Sequence, residues 1–156
     1  MSFVTAISIA ASGLSAERTR LNVAAMNLAN AHVTRTIDGG PYRARSVIFA
    51  SAPHRPDREA SFGAYLLPAV FPVDGESGSD LEEVRVAGIV EDPVPFREVY
   101  DPGHPDADEK GIVRLPNVNV MEQMVDIMTA ARAYEANLTA IETAKAMALK
   151  TLEIGK

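Results

Sequence analysis

Residues 119–152 read NVMEQMVDIMTAARAYEANLTAIETAKAMALKTL, and this stretch decides the fold. Apolar or small residues recur at Val120, Met124, Ile127, Ala131, Tyr134, Leu138, Ile141, Ala148 and Leu152, with Lys145 the one polar member. The steps alternate four and three, the 3.5-residue period of a coiled-coil seam. Asn119 is placed as an N-cap, and Glu122 stands where it can complete a capping box. Glu122 and Asp126 lie toward the positive end of the helix dipole, Lys145 and Lys150 toward the negative end. Gly155 is a plausible stop. Such a helix is about 50 Å long. A domain of this size cannot cover it alone, so it needs a partner from this chain or another.

The first thirty residues supply one. An apolar seam runs Phe3, Ile7, Ala10, Leu14, Leu21, Ala25 and Leu28, interrupted at Glu17 and Arg18. A second stripe of small polar residues follows Thr5, Ser8, Ser12, Ser15, Thr19 and Asn22. A solvent-facing helix normally carries Lys and Glu on its outer side. This one carries Ser, Thr, Ala and Gly, which let neighbouring helices approach closely. The plain reading is one helix of a small bundle; the sharper one is a helix buried on several sides within an assembly. Ser, Thr and Gly are mediocre helix formers, so ordering on packing is expected.

Between the helices the composition changes. Seven of the nine aromatic residues lie between Tyr42 and Tyr100, and they are the expected core of a small β-rich unit. Strands are predicted over 42–49, 62–67, 69–73, 83–90, 96–100 and 112–115. Residues 38–41 (Asp-Gly-Gly-Pro), 51–61 and 74–80 read as turns or loops. The expected fold class is α+β: long N- and C-terminal helices pair as an antiparallel coiled coil, with a small β-rich insert projecting from one end. The domain reading is a discontinuous helical core of 1–31 and 117–156, a connecting segment of 32–49 with an extended strand, and an insert of 50–116.

The chain has 156 residues, a formal net charge of -6 and no cysteine. The acidic balance argues against nucleic acid as a partner. Disulfides and cysteine-metal chemistry are excluded. No apolar run is long enough to span a membrane. The N-terminus does not read as a cleaved signal peptide, since no Lys or Arg precedes its apolar stretch and Thr5, Ser8 and Ser12 interrupt it.

Catalytic signals are missing. His32, His54 and His104 share no pairing spacing, and there is neither a Gly-x-Ser-x-Gly nor a phosphate-binding Gly-rich loop. The most chemical-looking stretch is 101–111, Asp-Pro-Gly-His-Pro-Asp-Ala-Asp-Glu-Lys-Gly. Its acids lack the EF-hand spacing, and Pro102 and Pro105 make it a stiff turn. It reads as a structural loop; no catalytic residue, metal ligand or cofactor is assigned. Arg43 and Arg45 share one strand face, either solvated or turned to an acidic partner. From the residues alone, a structural subunit and a stand-alone coiled-coil adaptor remain open. A calcium-dependent binding protein built on the acidic loop is a third reading.

A resemblance narrows this. Asn27-Leu28-Ala29-Asn30, closing the first helix, resembles the signature of bacterial flagellar rod, hook and related axial proteins. Thr34-Arg35-Thr36, Gly39-Gly40-Pro41-Tyr42-Arg43, the run Val99-Tyr100-Asp101-Pro102-Gly103-His104-Pro105-Asp106-Ala107-Asp108-Glu109, Asn117 with Asn119, and Arg132 to Asn137 are similar to the proximal rod members of that family. Met26 and Ala44 depart from the family's usual residues. The resemblance implies a non-enzymatic subunit of the periplasmic rod of the basal body. Its partners would be other rod proteins, copies of itself in a helical tube, the flagellar type III export apparatus and an adaptor of the MS ring. It would be exported without signal cleavage and serve in the drive shaft that carries torque from motor to hook. On this reading Ile7, Leu14, Leu21 and Leu28 meet Met124, Ile127, Tyr134, Leu138 and Ile141 within the subunit. Thr5, Ser12, Asn27 and Asn30 would face neighbours, and the 101–111 loop would lead into the long helix and fix its direction.

Overall fold

The long C-terminal helix forms where its caps and period place it. The computed structural model describes residues 3–37, 39–53, 81–93 and 96–154. Helix α1 spans Phe3–Ala29 and α2 spans Val120–Ile154, with strands β1 (Arg45–Pro53), β2 (Glu82–Glu91), β3 (Arg97–Tyr100) and β4 (Ile112–Leu115) between them. Asn119 caps α2: its Oδ1 accepts from the Met121 amide at 3.2 Å. Glu122 makes no return bond, so the capping box is half formed.

The two helices pack together antiparallel. The register is read from three cross-links. Gly13 lies against the Asn137 side chain. Arg20 pairs with Asp126 at 2.7 Å, and Asn27 bonds Gln123 at 2.9 Å. As α1 advances α2 recedes, and equal numbers of residues separate the outer links on both helices. The fold is therefore the α+β arrangement expected from the two seams.

The β strands form two separate antiparallel ribbons, β1–β2 and β3–β4. In the first, Ile48 pairs with Gly88 and Phe49 with Val86, leaving Ala87 as an extra residue that bulges the edge. The predicted strands at 42–49, 83–90 and 96–100 correspond to β1 to β3 with shifted ends, and that at 112–115 to β4 with the same bounds. Residues 51–53, expected in a loop, continue β1, so the expected domain boundary at 49/50 falls inside a strand. The predictions at 62–67, 69–73 and 74–80 lie outside the described residues.

One expectation is corrected. Among the described residues the β1–β2 ribbon does not project from one end; it lies along α1. The Arg45 amide meets Asn27 Oδ1 at 2.9 Å, and at the far end Val84 N–H donates to Ser12 Oγ at 3.2 Å. Ser8 Oγ donates to Glu83 Oε1 at 3.1 Å. The lengths agree. From Ser8 to Asn27 a helix rises about 28 Å, and the nine residues of β1 cover about 27 Å as a strand. Helix α1 thus has α2 on one side and the ribbon on another.

The core is thin. Buried apolar residues among those described are Ala16, Val23, Ala24, Ala31, Val113, Ala130 and Ala144. The expected aromatic core is not seen among the described residues: Phe49 is 36% and Tyr100 74% exposed. Alanine burial contributes little apolar area, so in-chain packing holds the helices only modestly.

The candidate assembly surface

The Asn27 side chain is the centre of the joint. It is 2% exposed and the largest fully buried side chain among the described residues. Its Oδ1 accepts from the Tyr42 hydroxyl at 3.0 Å and the Arg45 amide at 2.9 Å. Its Nδ2 donates to the Arg45 carbonyl at 2.8 Å and to Gln123 Oε1 at 2.9 Å. All four hydrogen-bonding positions of the amide are used. This corrects the expectation that Asn27 faces a neighbour: it binds α1 to the connecting segment, β1 and α2. Ser12 is likewise engaged in the chain, donating to the Ile9 carbonyl at 2.7 Å while accepting from Val84. Asn30 Nδ2 returns to the Met26 carbonyl at 2.8 Å and finishes the helix.

Burial pushes the Tyr42 hydroxyl above its ordinary value; nearby Arg45 opposes the shift and Glu91 adds to it. Around it, the connecting segment is tightly folded. Tyr42 N–H reaches the Val33 carbonyl at 3.2 Å and Thr36 N–H the Gly40 carbonyl at 2.8 Å. Gly39 and Gly40 hold positive φ of 83° and 86°, which a Cβ would disfavour. The tip leaves Ile37 fully in water. Leu28 and Pro41 are half-buried and Arg35 is exposed. Arg43 lays its guanidinium over the Phe96 ring at 5.4 Å, a cation–π contact.

The 101–111 stretch is the tip of the β3–β4 ribbon and not the direct lead into α2; β4 and residues 116–119 intervene. Asp101 N–H bonds the Gly111 carbonyl at 2.9 Å, and Asp101 Oδ1 accepts from Gly103 N–H at 3.2 Å. His104 Nδ1 accepts from the Asp106 amide at 3.1 Å. Asp106 Oδ2 accepts from Thr34 Oγ1 at 2.7 Å, which ties this loop to the connecting segment. Asp108 accepts at its carbonyl from Gly111 N–H at 2.7 Å. Pro102 packs on Gly111, Pro105 is exposed, and Asn117 is exposed beside the α2 cap. Among the described residues no three acidic or histidine side chains converge as a metal site. Of the family-signature residues, Asn27, Thr34, Tyr42, Asp106 and Asn119 thus make hydrogen bonds within the chain, whereas Arg35, Pro105 and Asn117 are exposed.

The seam residues divide. Ile7, Leu14, Leu21 and Leu28 on α1 and Ile127 and Ile141 on α2 are half-buried. Met124, Tyr134 and Leu138, expected inside, are 45%, 37% and 42% exposed. The edge of α2 turned to α1 is instead Gln123, Ile127, Ala130, Asn137, Ile141, Ala144 and Ala148. Small residues let the backbones approach, so α1 covers only one edge of the apolar stripe. The other edge stays open, and Met121, Met124, Val125 and Met128 form a continuous exposed strip at i, i+3, i+4 and i+7. The alanine period 130, 144, 148 was the signal for the inner edge; weighting bulky residues hides it.

A polar cleft of about 590 Å³ opens between the α1–α2 joint and β1, lined by Arg20, Asn27, Arg45, Asp92, Gln123 and Asp126 among others. Arg20 there stands between Glu17, at 3.9 Å, and Asp126. No helix of the described residues is long and apolar enough to cross a membrane.

Comparison with known proteins agrees in both halves. Residues 7–35 match the family described as flagella basal body rod protein. Residues 109–154 match the family described as flagellar basal body rod FlgEFG protein C-terminal. The chain is 42% identical to the flagellar basal-body rod protein FlgC of Borreliella burgdorferi, over 99% of this chain and 98% of that one. Identity to the FlgC of Salmonella typhimurium is 40%, with both chains covered in full. It is 39% to that of Bacillus subtilis, with 96% of each covered.

Proposed function

The chain belongs to the FlgC family of flagellar basal-body rod proteins, and from that premise we propose how this subunit is built into the rod. It is a structural rod subunit and not an enzyme. It assembles with other rod proteins. We infer further that copies of it are neighbours in the tube and that it leaves the cytoplasm through the flagellar type III export apparatus without signal cleavage. An MS-ring adaptor is its partner toward the membrane. In the assembled rod it carries torque from motor to hook.

The observation that supports this reading is the open flank of α2. Met121, Met124, Val125 and Met128 are 45–70% exposed at i, i+3, i+4 and i+7 of one helix, an apolar surface of a kind that monomers seldom leave uncovered. Methionine side chains adapt to irregular partners. The in-chain core is mostly alanine, so the helix pair gains its rigidity when neighbours cover that flank. Ser- and Thr-rich helices held so lightly suit a chain that passes through a narrow export channel unfolded. Tubes need heterologous contacts between unlike faces, and the open flank of α2 and the ribbon-covered side of α1 are unlike.

The test is intact-mass measurement on hook–basal bodies purified from the source bacterium. The chain is expected there, uncleaved apart from Met1 removal. Rods that assemble without it, with the chain confined to the soluble fraction, would overturn the proposal in favour of a free coiled-coil adaptor.

A further inference from the structure

The chain has no cysteine, so its 6 methionines hold all of its sulfur. Met26, Met121, Met124, Met128 and Met147 are the methionines among the described residues, and every one is 41–70% exposed. Methionine is ordinarily a core residue that fills irregular gaps; here the buried apolar residues are alanine and valine. Met121, Met124 and Met128 stand together. At i, i+3 and i+7 they share one face of α2, over about 10 Å of its length. Val125 lies among them, while Asp126 is turned away to Arg20.

A thioether in water is open to two-electron oxidants. With hydrogen peroxide, a sulfur lone pair attacks one peroxide oxygen. The S–O bond forms as the O–O bond breaks, and sulfur gives up two electrons to the peroxide. The other oxygen leaves and takes up the remaining proton as water. The sulfoxide so formed is polar and accepts hydrogen bonds. On the isolated chain this changes little, because the strip already meets water. The close contact of α1 with α2 runs through Gly13, Ala130 and Ala144, none of which carries sulfur. Under a neighbour, the same oxygen would be buried without a donor, at the full cost of its desolvation.

Resting on the rod reading above, we propose that Met121, Met124 and Met128 are a single oxidation site that decides whether a chain enters the rod. Peroxide converts them to sulfoxides on the free chain, and the oxidised chain is barred from assembly. A chain already in the rod has the strip covered and keeps its thioethers. Methionine sulfoxide reductases, one enzyme for each sulfoxide epimer, restore the thioether, so the bar is reversible. Met147 lies about 28 Å further along α2 and Met26 lies on α1; neither takes part.

For the test, the source bacterium carries the chain on an inducible promoter in place of the native copy, and expression starts after a sublethal dose of hydrogen peroxide. Three chains are compared: the native; a strip variant with Met121→Leu, Met124→Leu and Met128→Leu; and a control with Met26→Leu and Met147→Leu. Leucine nearly keeps the volume and removes the sulfur. Peroxide is expected to lower the native and control chains in basal bodies roughly tenfold and to leave the strip variant unchanged. Peptide mass mapping of the native chain should find the strip sulfoxides in the soluble fraction and roughly tenfold fewer of them in rods. The purified native chain, oxidised by peroxide, should melt within about 4 °C of the untreated one. No fall of the native chain, an equal fall of all three, or a large loss of melting temperature would overturn the assignment and leave the rod reading intact. Should the strip variant not enter rods even without peroxide, the mapping decides: strip sulfoxides as frequent in rods as in the soluble fraction overturn the assignment. Absence of the native chain from basal bodies of untreated cells would instead sink the rod reading.

Discussion

Asn27 Nδ2 donates to Gln123 Oε1 at 2.9 Å and so joins the last turn of α1 to the first turn of α2 across 96 positions of sequence. Because the amide is buried and fully bonded, its loss leaves several groups without partners. Asn27→Ala is expected to cost about 2–3 kcal/mol, mostly through the unpaired Arg45 carbonyl and Tyr42 hydroxyl. Asn27→Asp sets a carboxylate oxygen against the Arg45 carbonyl and Gln123 Oε1. At neutral pH it should be no better than alanine, and it should recover part of its stability as pH falls and the acid protonates. Thermal denaturation of the three proteins at pH 7 and pH 4 checks this, each compared with the native chain at the same pH. An aspartate variant as stable as the native at pH 7 would contradict the assignment.

Tyr42 gives the joint an alkaline limit. Its folded pKa is raised above the ordinary tyrosine value of about 10, chiefly by burial. The folded state therefore holds the phenolic proton more tightly than the unfolded chain. The stabilisation is complete below about pH 10 and is lost as pH rises through the folded pKa. Tyr42→Phe should lower stability at pH 7 by about 1 kcal/mol through loss of the bond to Asn27, and its stability should fall less steeply above pH 10. Denaturant melts from pH 8 to 11 read both effects. Equal slopes for the two proteins would rule out a role for Tyr42 in the alkaline limit.

Gly111 fixes the tip of the β3–β4 ribbon. Its φ is +73°, and a Cβ there would stand 2.9 Å from Tyr100 Cε2 and 3.2 Å from Pro102 Cβ. Gly111→Ala meets both a left-handed backbone penalty of about 1–2 kcal/mol and a steric one. Gly39 also has positive φ, at +83°, but none of the described residues lies within 4 Å of its added Cβ. Gly39→Ala should therefore cost only the backbone part. Amide exchange at Asp101 should speed up in the Gly111 variant and not in the Gly39 variant. Equal protection in all three proteins would remove the steric account.

The pattern that was legible in the sequence is the one set by local chemistry: the Asn119 cap, the 3.5-residue period of α2, the glycine turn before Tyr42 and most strand positions. Which edge of the α2 stripe α1 would occupy was not legible. Bulky Met124, Tyr134 and Leu138 dominate a periodicity reading, yet the close approach of two helices is made by Ala130, Ala144 and Gly13. Asn27 was read as outward because a helix sequence shows only its own neighbours. Its partners come from residues 42, 45 and 123, brought together by the register of the pair. The Ser8 and Ser12 stripe was expected to admit neighbouring helices, with Ser12 turned to a neighbour; its occupant is instead the β2 edge of the same chain, which depends on a ribbon folding back along α1.

The division of α2 into an inner alanine edge and an outer apolar edge predicts that substitutions on the inner edge act on folding and those on the outer edge on assembly. Ala130 is 0% exposed against α1, whereas Leu138 is 42% exposed. Ala130→Leu pushes extra methylenes into a close helix contact and is expected to lower stability by about 1–3 kcal/mol. Leu138→Asp places a charge where the isolated chain already meets water, so its melting temperature should stay within about 4 °C of the native, the shift expected of less than 1 kcal/mol. In the rod the same carboxylate would be buried without a partner, a cost of several kcal/mol per copy. Leu138→Asp should therefore give a folded, soluble chain that is missing from basal bodies. Circular dichroism on the purified chain and quantitation of the chain in basal bodies separate the two outcomes. Normal incorporation of Leu138→Asp would show that the exposed edge stays in water in the rod, and the assembly surface would then have to be sought on the ribbon side of α1.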